Sequence, residues 1–125
     1  MAKVVDENIE AIEAGYEYLL AYAAQGKDTD VTASGGTSEV RSALERMAGA
    51  AEEIAAAMEG GDHAFHPVVA DDARKSHAAI SLVLAQNGIS SEIVDNLNAS
   101  IHLRALLTDL FLLSEAGAAH TPGSG

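Results

Sequence analysis

The sequence predicts an all-α fold, an antiparallel up-down four-helix bundle that self-associates. Three observations predict it. Apolar residues recur at steps of four and three through the long segments, the spacing that keeps one side of a helix apolar. No segment alternates apolar and polar positions with the β-branched enrichment of a strand. Glycine, asparagine, serine and proline fall between the periodic segments, where helices stop and start.

The first helix is expected over about 6–25. Asp6 is a good capping type, and Val5, Ile9, Ile12, Tyr16, Leu19 and Ala23 follow at steps of 4, 3, 4, 3 and 4. Gly26 is its stop. Residues 27–37 are small and polar and read as a loop. The second helix, 38–59, opens at Thr37 or Ser38 and carries Val40, Leu44, Met47, Ala51, Ile54 and Met58 on one stripe. Gly60 and Gly61 end it. The third, 68–87, follows Pro67, whose missing N–H costs nothing in a first turn. Val69, Ala73, Ile80, Val83 and Leu84 form its apolar side, and Asn87-Gly88 stops it. The fourth, 91–116, begins at Ser90 or Ser91 and runs through Ile93, Val94, Leu97, Ile101 and the leucines beyond. Together these make one domain, 1–117, and residues 118–125 are expected to be a disordered tail.

Composition narrows the function classes. The chain has 125 residues, of which 48% are apolar, but 25 of the apolar residues are alanine and five are aromatic. One lean aliphatic core, with helices approaching closely over methyl groups, is the expectation. Seven basic against 19 acidic residues give a net charge of −12, which repels nucleic-acid backbones and anionic lipid. There is no cysteine, hence no disulfide, thiol nucleophile or zinc–cysteine site. The longest near-apolar stretch, Leu103 to Leu113, is too short to span a bilayer and is interrupted by Arg104, Thr108 and Asp109. A cytoplasmic protein without a cofactor is expected.

Histidine supplies the candidate chemistry, because its proton exchanges near neutral pH. His63 and His66 share a turn with Asp62, and with His102 they are the metal-ligand candidates. The spacing contains neither Glu-x-x-His nor His-Glu-x-x-His, and the plainer reading is a polar turn ahead of Pro67. His77 stands in mid-helix beside the apolar seam, one turn after Arg74 and next to Ala78 and Ala79. In architecture this resembles histidine phosphotransfer domains, which implies His77 as a phosphoacceptor. Those domains carry a lysine and a small residue after the histidine, whereas here Lys75 precedes it and Ile80 follows. The plainer reading is a neutral histidine at the edge of the core. Asp95, Asn98, His102 and Asp109 form a polar line on the last helix that reads as a solvated face.

One segment holds more apolar surface than a single bundle stripe requires. Leu103, Leu106, Leu107, Leu110, Phe111, Leu112 and Leu113 cover more than one side of the last helix. They are the interface candidates, for a second copy of the chain or for another protein. The expected function is therefore that of a non-enzymatic acidic bundle acting through homo-oligomerisation or protein–protein contact. A phosphotransfer bundle and a metal- or small-ligand-binding bundle are the alternatives.

Overall fold

The computed structural model describes residues 2–32 and 35–119. Five helices and no strand occur among them: α1 (Ala2–Ala23), α2 (Glu39–Glu59), α3 (His66–Leu84), α4 (Ser91–Ala99) and α5 (Ile101–Ala119). Of the tail expected over 118–125, residues 118 and 119 extend α5, and 120–125 lie outside the described residues.

The starts of α2, α3 and α4 have local causes, whereas α1 begins at Ala2, so that Asp6, expected to cap it, lies inside the helix. Ser38 caps α2, its hydroxyl accepting the Arg41 N–H at 3.2 Å, and Ser90 caps α4 by accepting the Ile93 N–H at 3.1 Å. Pro67 sits in the first turn of α3. After α1 the chain turns through Gly26, whose φ of 66° suits a residue without a Cβ.

The helix expected over 91–116 is two helices, which corrects the sequence reading. Ser100 is extended, with φ −65° and ψ 144°, and so cannot continue the spiral. Its N–H donates to the Leu97 carbonyl at 3.0 Å and closes α4, while its hydroxyl accepts the Leu103 N–H at 3.3 Å and opens α5. The break rotates everything after it. Val94 and Leu97 face the core on α4. In a straight helix that stripe would continue through Ile101, Ala105, Thr108 and Leu112. Instead Leu103, Leu106 and Leu110 are fully buried, and Ile101 is 74% exposed.

The core is one aliphatic cluster. Ile12 and Leu19 of α1 meet Val40, Leu44, Met47 and Ile54 of α2, Val69 and Ile80 of α3, and the three α5 leucines. All six expected stripe positions of α2 are buried. Each fully buried leucine or isoleucine contributes about 2–3 kcal/mol by its removal from water. Gly15 lets α1 and α2 approach closely: a Cβ there would collide with the buried Met47 side chain. Lengthwise, Asn8 donates to Glu53, Arg41 reaches the end of α3, and Ser76 donates to the carbonyl of His102. No helix among the described residues is long and apolar enough to cross a membrane.

Candidate functional site

Four places hold polar or unusually exposed groups, and each has a different job.

The first is a knot of hydrogen bonds where the 24–38 loop meets the α3–α4 connection. Asp30, 8% exposed, accepts from Ser38 Oγ at 2.6 Å, from Arg41 Nε at 2.8 Å and from the Ile89 N–H at 2.7 Å. Burial alone would raise its pKa, but these bonds and the Arg41 charge outweigh burial and lower it below the ordinary carboxylate value. Arg41 then donates to the carbonyls of Leu84, Gln86 and Asn87, the unsatisfied acceptors at the end of α3. Beside it, the buried Tyr22 hydroxyl donates to the Ile89 carbonyl at 2.6 Å, and Ser91 Oγ donates to the Tyr22 carbonyl at 2.7 Å. Burial raises the pKa of Tyr22, and the nearby Asp30 charge adds to it. Every polar group in this knot is engaged in holding backbone, so it is a fastening. The sequence reading placed 27–37 in a loop and did not find it.

The second is a carboxyl pair between α3 and α5. Asp109, assigned to a solvated line from sequence, is instead 6% exposed, with the Asp72 carboxyl within hydrogen-bonding reach. Desolvation, followed by the hydrogen bond and charge of Asp72, pushes its pKa up to about 7. Its Oδ2 and both side-chain amide atoms of the buried Asn98 meet no hydrogen-bond partner among the described residues. The line is thus split: Asp95 and His102 are exposed, while Asn98 and Asp109 are buried. The split falls within each helix: α4 exposes Asp95 and buries Asn98, and α5 exposes His102 and buries Asp109.

The histidines do not assemble. His63 Nδ1 accepts the Phe65 N–H at 3.0 Å, and His66 Nδ1 accepts the His63 N–H at 3.3 Å. Both rings therefore shape the turn into α3. Asp62 is exposed beside them. His102 belongs elsewhere: its carbonyl is bonded to Ser76, ten residues along α3 from His66, or about 15 Å at 1.5 Å per residue. Among the described residues no three His, Cys, Asp or Glu side chains gather as a metal site would need. His77 is half-buried in a shallow groove of about 300 Å³ between α2 and α3, with Glu52, Glu59, Arg74, Ala55 and Ala56. Arg74 is ion-paired to Glu59. Neighbouring positions on a helix diverge by about 100°, so while Ser76 turns to His102, His77 faces α2.

The fourth place is the outer face of α5. Of the interface candidates, Leu103, Leu106 and Leu110 lie in the chain's own core. Leu107 and Leu113 are half-buried against it. Phe111 and Leu112 are 62% and 53% exposed, and Ile101 joins them. Ala105 and Thr108 continue the strip, the Thr108 hydroxyl turning back to the Arg104 carbonyl at 3.0 Å. A shallow hollow of about 480 Å³ runs beside it, lined by Ile101, Arg104, Ala105, Thr108 and Asp109. The surrounding chain carries −12, yet the exposed charges of α5 are one cation, Arg104, and one anion, Glu115. Sequence reasoning found the apolar surplus of this helix. It missed Ile101 as a member, because only the turn at Ser100 brings that side chain outward.

No protein-family model matches the chain, and neither a curated protein nor a solved structure matches it.

Proposed function

We propose that this protein is a non-enzymatic acidic helical module that acts by associating with a second copy of itself through the outer face of α5. The observation that carries this is the exposed strip of Ile101, Phe111 and Leu112 on the one long helix almost free of surface charge. Exposed apolar groups at helical spacing are costly in water and are relieved by a matching surface. The other large exposed apolar residues among the described ones, Leu20, Val31, Val68 and Leu82, belong to other elements and loops. The core arrangement belonging to this reading is an antiparallel up-down bundle whose fourth wall is α4 followed by α5. Asn8 with Glu53 and Gly15 with Met47 support opposite directions for α1 and α2. Arg41 with Leu84 and Arg74 with Glu59 support the same for α2 and α3. Ser76 with His102 and Asp72 with Asp109 support it for α3 and α5. A cytoplasmic setting suits a chain without cysteine. Phosphotransfer through His77 ranks behind, because Glu52 and Glu59 line its groove and would repel a phosphoryl group.

Light scattering on the chain eluting from a sizing column tests the proposal. The wild-type mass is expected to rise above 12.9 kDa with concentration, and Leu112→Asp is expected to hold it at the monomer value. A wild type that stays monomeric, or an assembly that Leu112→Asp leaves intact, overturns it.

A further inference from the structure

We infer that the two copies pair α5 against α5 in antiparallel register about a two-fold axis, with Arg104 of each chain facing Glu115 of the other; this rests on the association proposed above. Arg104 and Glu115 are both exposed and lie on the same side of α5 as Ile101, Thr108 and Leu112. They are 11 residues apart, close to three turns, or about 16 Å along the axis. Neither has an ion pair among the described residues of its own chain.

A two-fold interface is self-complementary: if residue i meets j, then j meets i. Among antiparallel registers, the one centred between Thr108 and Phe111 sets Arg104 of one copy against Glu115 of the other, twice over. The same register lays Phe111 of each copy on the Thr108 segment of the other, so that each ring covers a methyl-lined stretch. A parallel register instead places Arg104 against Arg104 and Glu115 against Glu115, like against like at both ends. Charge also explains why this face is used. Two chains of −12 repel wherever their acidic helices meet, and the outer side of α5, with one charge of each sign, is where that repulsion is least.

Because the chain contains no cysteine, single cysteines report the register directly. Arg104→Cys and Glu115→Cys chains are mixed in equal amounts and oxidised. The expected product is the mixed 104–115 disulfide, exceeding the two symmetric products together by about threefold or more, since only facing positions come within bonding distance. A second arm uses charge. Arg104→Glu is expected to weaken dimerisation about three- to tenfold at low salt, and Arg104→Glu/Glu115→Arg to restore it to within about twofold. Symmetric disulfides in excess, or a double variant no stronger than the single one, would overturn the register. If the dimer is still lost with Leu112→Asp, α5 stands as the associating face and only the register falls. If the wild-type chain shows no dimer at any concentration, both fall together.

Discussion

Asp109 is an acid placed where an ionised acid is disfavoured, between its own helix and Asp72 of α3. Its pKa in the fold, about 7, lies above the ordinary 3.8. Between those values the folded chain holds a proton that the unfolded chain has released. The linkage sign follows: Asp109 favours the fold fully below pH 4 or so, and that advantage is lost as the pH rises to about 7, then levels off. Asn in its place stays neutral and brings an amide that donates to the Asp72 carboxylate. Asp109→Asn is therefore expected to be more stable than wild type at about pH 8, on the order of 1–2 kcal/mol, and equal to it near pH 4. Urea unfolding of both chains across that range measures the difference, and a constant offset at every pH would contradict the assignment. The sequence offered Asp109 only as one member of a polar line. Nothing local distinguishes it from Asp95, because its burial comes from α3, and the partner that raises its pKa is 37 residues away in the chain.

At the scale of elements, legibility followed the range of the forces involved. All six stripe residues of α2 are buried and Ser38 caps it, as the spacing and the cap type foretell, because both signals act within one or two turns. The break at Ser100 was not legible. Apolar residues continue across it, and a serine that ends one helix and starts another looks in sequence like a serine on a polar side. The fastening by Asp30 and Arg41 was hidden for a related reason: the acceptors Leu84, Gln86 and Asn87 are 43–46 residues from Arg41, and the donor Ile89 is 59 from Asp30. Its strength has a clear sign with pH. The folded pKa of Asp30 is depressed, so its contribution is present above the ordinary carboxylate value and is lost as the pH falls through and below it. Asp30→Asn, which gives up the charge-assisted bonds to Arg41 and Ser38, is expected to cost about 2 kcal/mol at neutral pH. That cost should shrink as the pH falls through and below the ordinary carboxylate value, where the unfolded wild-type chain takes up the proton first. Thermal unfolding of the two chains at about pH 7 and pH 3 checks both halves, and a variant as stable as wild type at neutral pH would remove Asp30 from this role.

For the whole molecule, the sequence showed how much apolar surface the last helix carries but not how it divides. Seven residues from Leu103 to Leu113 signalled surplus. Three of them complete the core, and the rotation at Ser100 replaces them outside with Ile101 beside Phe111 and Leu112. The net charge was legible from composition; that α5 escapes it became clear only once Asp109 was found buried and Arg104 and Glu115 were found on the open side. In the proposed association the acidic helices discourage contact elsewhere and the bare face permits it. Amide chemical shifts recorded over a dilution series test this most directly, since they report association and its location at once. The amides of Ile101, Arg104, Ala105, Thr108, Phe111, Leu112 and Glu115 are expected to move together as the concentration rises, with those near Val31 and Leu82 unchanged. Spectra that do not depend on concentration, or shifts gathered around Val31 or Leu82 instead, would contradict it.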